Sequence, residues 1–320
     1  MNKYFTILGI VLLSSCQPKT VEKNGGLIID IEWNSNAKEA DVNASVEILK
    51  NRINYFCYYN PSLALSPDKK SIQLKLPLIT DSTLCKDYIL RKGKLEIVET
   101  FENQEIYNCL ANINKKLVEN HNYNLKIPVD TSNFKKYPLF KVLHPPISRD
   151  NRLLSGSIIG YSQVKDTALI NSIMQFKACK NLLPMEFECK WSKNRLDNFI
   201  PLVAIKKSLN SNTITPEMIL NAVTYYEKKA KKYSVNFTLK PPYHIIWAKM
   251  TRNNIGRSLA IVIDNDVFSN PRVNGEIPNG KSFISGNMTL EQAKALATTL
   301  KYGVIPIDLK IKKMTIINVP

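Results

Sequence analysis

The sequence predicts an α+β fold. Two pseudo-repeated β-α-β-α-β halves form a base, and an α+β head is inserted between them. Three observations carry this expectation. Strand-like alternation and helix-like periodicity succeed one another at both ends of the chain. A helix-Gly-strand junction recurs at corresponding places, Leu90-Arg91-Lys92-Gly93 before Leu95-Glu96-Ile97 and Leu300-Lys301-Tyr302-Gly303 before Ile307-Asp308-Leu309. A stretch with its own apolar periodicity, long enough for its own core, separates the two ends. The expected segments are a signal peptide over 1–15, a tether over 16–24, a first base half over 25–103, the head over 104–232 and a second base half over 233–320.

The elements follow in order. After Gly25-Gly26, Leu27 to Ile31 reads as a strand. Val42, Val46, Leu49, Ile53 and Phe56 recur on one face of a 3.6-residue period and predict a helix. Ser71 to Leu76 alternates as a half-buried strand does, and Pro77 ends it. Asp81 or Ser82 can cap a helix running to Lys92, with Gly93 as its left-handed stop, before a strand over Leu95 to Val98. In the head, Ile106, Leu110, Ile113 and Leu117 mark a helix. Residues 121–150 hold Pro128, Pro138, Pro145 and Pro146 and read as a loop. Asp166-Thr167 can cap a helix to about Phe176, and Met185 to Trp191 and Leu202 to Ile205 read as strands. In the last part, Ser234 to Leu239 is a strand and Tyr243 to Met250 a helix. Leu259 to Ile263 leads through the turn Asp264-Asn265 into a hairpin. Thr289 and Gln292 fit a capping box for a helix with Leu290, Ala293, Ala297 and Leu300 on one face. Ile307 to Ile311 closes the pattern as a strand.

Composition bounds the function. The chain has 320 residues, 44% of them apolar and 22% charged, which excludes disordered and fibrous classes. Its charge of +17 is uneven: −1 over 25–103 but +10 over 104–232. Such an excess raises the possibility of nucleic acid. The N-terminus argues otherwise. Lys3 precedes an apolar run from Tyr4 to Leu13, then Leu13-Ser14-Ser15-Cys16. Ten apolar residues are too few to span a bilayer and suit a signal-peptide core. The motif resembles the lipobox of bacterial lipoproteins, in which the cysteine, here Cys16, is the lipid attachment site. The expected location is the cell envelope, and Gln17 points to the periplasmic side of the outer membrane rather than the inner membrane. A basic head there faces acidic chains or anionic lipid, and no nucleic acid is expected as a partner. Beyond Cys16 stand Cys57, Cys85, Cys109, Cys179 and Cys189, with no C-x-x-C spacing, and their expected role is as small buried residues.

The motifs of chemistry are missing. His121, His144 and His244 do not stand at metal-ligand spacing, and no H-E-x-x-H occurs. No nucleophile elbow, Walker A or G-x-G-x-x-G appears. Asp264/Asp266 falls in the hairpin turn, where Asp is favoured for its conformation, and Glu186/Glu188 on one face of a strand that faces solvent. No catalytic residue, metal site or cofactor is expected, and the protein is read as a non-enzyme.

A resemblance gives the positive reading. Val46-Glu47-Ile48-Leu49-Lys50-Asn51-Arg52-Ile53-Asn54, Ser71 to Pro77, and Lys92-Gly93-Lys94-Leu95-Glu96-Ile97 resemble the first periplasmic domain (P1) of SecD and SecDF, accessory subunits of the bacterial Sec protein translocase. The back is more similar still. Trp247-Ala248-Lys249-Met250-Thr251-Arg252-Asn253-Asn254-Ile255-Gly256-Arg257 precedes Leu259 to Asp264, and then come Val267, Ser269, Pro271 and Val273. Ile284-Ser285-Gly286-Asn287-Met288-Thr289 follows, with Glu291 to Lys294 and Leu296-Ala297. Glu105-Ile106-Tyr107 and Asp166-Thr167-Ala168 resemble SecDF more weakly. The resemblance implies a base of two ferredoxin-like halves with an inserted head that moves relative to it and contacts emerging preprotein. It departs from the family in its lipoprotein-like start, in an entry reduced to Gly25-Gly26, and in lacking the family's membrane helices.

The expectation is a lipid-anchored, stand-alone P1-like module that binds unfolded or exported polypeptide or a Sec translocase component. The alternative is an envelope scaffold lipoprotein that reuses the fold. Binding residues do not follow from the sequence; the 121–150 loop and the head surface are the candidates.

Overall fold

The computed structural model describes residues 19–34, 36–57, 59–82, 85, 91–119, 138–207 and 213–318. The expected signal peptide, Cys16, Gln17 and His121 lie outside them, as does most of the helix expected over 81–92; Arg91 and Lys92 themselves are not helical. In chain order the elements are α1 (Val21–Asn24), β1 (Gly26–Trp33), α2 (Glu39–Phe56), β2 (Ser62–Leu65), β3 (Ser71–Pro77), β4 (Leu95–Glu99) and α3 (Asn103–Glu119). Then come α4 (Pro138–Val142), β5 (Ile158–Gln163), α5 (Thr167–Gln175), α6 (Lys177–Lys180), β6 (Phe187–Trp191), β7 (Phe199–Lys206), β8 (Ile219–Glu227) and β9 (Lys232–Leu239). The last are α7 (His244–Asn253), β10 (Leu259–Ile263), β11 (Asp266–Ser269), β12 (Lys281–Met288), α8 (Leu290–Tyr302) and β13 (Leu309–Ile317). The fold is therefore mixed α and β, and its sheets are antiparallel.

The chain forms two compact units, each built from separate stretches of sequence. One takes residues 1–37, 57–90 and 308–320. Its sheet has the order β13-β1-β3-β2. Leu27, Ile29 and Ile31 of β1 and Ile72, Leu74 and Leu76 of β3 are buried, the alternation read from the sequence. Gly26 is required here: a Cβ on it would lie 2.9 Å from Leu78 N, at a φ of 139°. Residues 20–24, expected as polar tether, instead make a capped turn. Thr20 Oγ1 accepts from Lys23 N and Val21 is 1% exposed, so one apolar residue among polar neighbours fixes the segment.

The other unit takes residues 38–56 and 91–307. It holds three three-stranded sheets, β11-β10-β4, β12-β9-β8 and β5-β7-β6. Its largest core joins β4, β9, α7, β10 and α8 through residues such as Ile97, Phe237, Trp247, Ile261 and Leu296. A second core packs α3, α4 and α5 onto Leu202 and Ala204 of β7. The opposite face of β7, Val203 and Ile205, packs on Val98, Ala260, Val262 and Val267. One core thus joins α3, α4, α5 and one face of β7, and the other face of β7 shares a core with β4 and β10. Strands of the two expected halves are exchanged: β1 pairs with β13, and β4 with β10. Periodicity marks a strand but carries no information on its partner.

Local signals act largely as read. Thr289 and Gln292 form the complete capping box of α8. Three readings are corrected. Pro138–Val142, expected as loop, is helical, because Pro138 suits a first turn and Asn114 Oδ1 accepts from Leu139 N at 3.0 Å. Asp166 makes no side-chain cap to α5; a 3₁₀ turn over Val164–Asp166 leads in instead. Glu186 lies in the turn before β6, so only Glu188 is on the strand, where its partly exposed carboxylate pairs with Lys190 at 2.7 Å.

Candidate functional site: an apolar cleft beside α7

Within the larger unit, α7, the segment 271–277 and the edge strand β12 enclose a cleft of about 590 Å³. Its floor is apolar, from Ile97, Phe237, Leu259 and Ile261. Each is an inward position of a strand in the largest core. Trp247 and Thr251 line it from α7, and Ser282, Phe283 and Ser285 from β12.

The wall is held by the run 251–259. Thr251 Oγ1 accepts from Ile277 N at 3.0 Å, and Arg252 grips Glu276 with two hydrogen bonds of 2.8 and 2.7 Å. That pair lowers the Glu276 carboxyl and raises the Arg252 guanidinium from their ordinary values. Gly256 N donates to Val273 O at 2.8 Å, Val273 N to Arg257 O at 2.8 Å, and Leu259 N to Pro271 O at 3.0 Å. The run is anchored behind: Asn254 Nδ2 donates to Glu99 Oε1 at 3.0 Å, and Arg257 Nη2 to Glu105 Oε2 at 2.6 Å. Burial raises the Glu105 carboxyl, but the hydrogen bonds from Arg257 and the Glu102 backbone, with the nearby charges of Arg257 and Lys206, together hold it below its ordinary value.

Two features equip the cleft to take a ligand. Trp247 is 5% exposed, and its indole Nε1 is buried without a hydrogen-bond acceptor among the described residues. A buried N–H normally finds an acceptor, so this donor stands unsatisfied on a residue that lines the cleft. Phe283, at the lip, is 64% exposed on a strand with one unpaired edge.

Residues 201–307 match the family model for the SecDF P1 head subdomain. All of the cleft's lining residues except Ile97 fall in that range. The chain carries a SecD/SecDF P1-like domain. It is 29% identical over 180 residues to protein translocase subunit SecD of Rhodothermus marinus, covering 54% of this chain and 27% of that protein. It is 44% identical over 78 residues to SecD of Leptotrichia buccalis, covering 24% and 19%. The chain thus spans about a quarter or less of these relatives. A crystal structure of SecDF in its super-membrane-facing form aligns with a TM-score of 0.49 at 20% identity, over 94% of this chain and 32% of that one. A SecDF structure described as a membrane component that enhances protein export aligns at 0.45 and 19%, over 89% and 98%.

The P1-like domain uses its other polar motifs structurally. The Asp264 carboxylate accepts from Gly93 N at 2.9 Å and Lys94 N at 2.8 Å, and Asp266 pairs with Lys193 at 2.9 Å. His144 is exposed with its ring edge-on to Phe199, and His244 packs by Gly280. Cys57, Cys85 and Cys179 are buried, Cys109 and Cys189 half-buried, and all five are free thiols. Among the described residues no group of three or more His, Cys, Asp or Glu could hold a metal, and no helix is long and apolar enough to cross a membrane. Sequence reasoning placed Trp247, Thr251 and Arg252 in a motif but not around a cleft. Of the candidate loop, residues 121–137 lie outside the described residues and 138–150 do not line the cleft.

Proposed function

We propose that the protein acts in protein export as a non-enzymatic SecD P1-like module, lipid-anchored through Cys16, and that its cleft holds an extended segment of exported polypeptide. The single observation that carries this is Trp247, a buried indole N–H without an acceptor among the described residues, beside a cleft whose floor is apolar. A backbone carbonyl of an extended chain is an acceptor that every sequence supplies. The free edge of β12 adds strand pairing to the same segment, and Phe283 adds apolar contact. Recognition of this kind needs no particular sequence, as a module serving many exported chains requires. The lipobox-like start at Cys16 and the following Gln17 place the module on the periplasmic side of the outer membrane in this reading.

The two-half, ferredoxin-like reading of the base belongs to the same proposal. What supports it is Arg52, whose guanidinium gathers the carbonyls of Arg91, Lys92 and Gly303, at the two Gly junctions that correspond in sequence.

The test is the indole N–H resonance of Trp247, followed while an unfolded secretory polypeptide is added to the full chain. A saturable shift, absent from Trp247→Phe, is the expected result. An unmoved resonance at saturating polypeptide contradicts the proposal.

A further inference from the structure

A different surface of the larger unit is built for another kind of partner. The β8–β9 hairpin closes at Glu227 and Lys232, and its four-residue turn is Lys228-Lys229-Ala230-Lys231. Lys228, Lys229, Lys231 and Lys232 are all exposed, and none has an ion-pair partner among the described residues. Four uncompensated cations in five residues repel one another, and a structural role for the turn would need none of them. Directly behind the tip, Tyr225 is 53% and Tyr226 44% exposed, and Val223 further along β8 is also exposed. Tyr226 is braced by Tyr233 across the strands, with ring centroids 4.9 Å apart, so its ring stays presented near the tip.

We propose that the β8–β9 hairpin docks on an anionic phospholipid surface, with its lysines on the lipid phosphates and Tyr225 and Tyr226 at headgroup level. Charge complementarity selects an anionic partner. The tyrosines select lipid over acidic polypeptide, because an aromatic ring with a hydroxyl matches the boundary between headgroups and acyl chains. The docking is independent of the cleft, since none of the hairpin's lysines or exposed tyrosines lines it.

The experiment is hydrogen–deuterium exchange of residues 225–234 in the full chain on vesicles of phosphatidylcholine alone or with phosphatidylglycerol. Attachment through the N-terminus is common to both vesicles and cancels. The expected result is slowed exchange only with phosphatidylglycerol, weakened about fivefold for each lysine changed to Gln. The slowing should vanish in about 1 M salt, where the Debye length is about 3 Å. Tyr225→Ser with all lysines kept should weaken it as well. Equal exchange on the two vesicles overturns the proposal. So does unchanged slowing in the K228Q/K229Q/K231Q/K232Q variant. Equal slowing by soluble polyglutamate on phosphatidylcholine vesicles also overturns it, by assigning the surface to acidic polypeptide.

Discussion

The guanidinium of Arg52 occupies the space that a side chain on Gly93 would need. A Cβ there would collide with Arg52 Nη2 and lie 2.8 Å from Thr299 Cγ2, at a φ of 86° that L residues rarely adopt. Arg52 is wholly buried. It donates to Arg91 O at 2.8 Å, to Lys92 O at 3.0 Å and to Gly303 O. The two Gly junctions converge on one cation because backbone carbonyls left over at chain turns carry partial negative charge.

Gly93→Ala is therefore expected to destabilise the fold by about 1–3 kcal/mol. Arg52→Met should cost about 3 kcal/mol, since it strips charged donors from buried carbonyls. Urea midpoints measure both. The double variant should lose less than the sum, because removing Arg52 frees the space that the added methyl would need.

Asp264 supports the same junction from the other side. Asp264→Ala loses both backbone contacts, to Gly93 N and Lys94 N, and leaves a residue poorly suited to a φ of 49°. Asp264→Asn keeps an acceptor and tolerates that φ. The alanine variant should lose about 2 kcal/mol and the asparagine variant clearly less, again by urea denaturation.

Much of the architecture was legible. Strict alternation at Ile72, Leu74 and Leu76, the capping box at Thr289 and Gln292, and the turn at Asp264-Asn265 are local signals with local causes. Pairing was not legible. That β4 meets β10 and β1 meets β13 depends on contacts far apart in sequence, which periodicity does not encode. The cleft was half legible. The run Trp247 to Arg257 stood out as a motif, but Thr251 and Arg252 act on Ile277 and Glu276, about twenty-five residues on. Trp247 carries no sequence mark of a donor without an acceptor.

The rim of the cleft should loosen in acid. Glu276 has its carboxyl lowered by Arg252, so the pair contributes fully above the unfolded-state value near 4.5. Its contribution is lost as pH falls through the lowered value. The pair is solvent-exposed, so the expected effect is local. Amide exchange across 271–277 should rise below that pH while exchange in β10 stays protected. Glu276→Gln should show the faster exchange at neutral pH.

Cys85 should resist alkylation. Burial, with Asp81 and Cys57 nearby, pushes its thiol up to about 12. Its thiolate is scarce at pH 8, and iodoacetamide should label it at least about a hundredfold more slowly than a free thiol in solution. Mass spectrometry of the native chain should find Cys85 unmodified, and labelling should appear in urea.

Export itself is tested by photocrosslinking in living cells from an ultraviolet-reactive residue in place of Phe283, with the same residue in place of exposed Ile147 as control. The account predicts crosslinks from 283, and not from 147, to secreted chains in transit. These crosslinks should diminish with Trp247→Phe. Crosslinks from 283 only to one folded envelope protein, or equal capture of secreted chains from both positions, would contradict it.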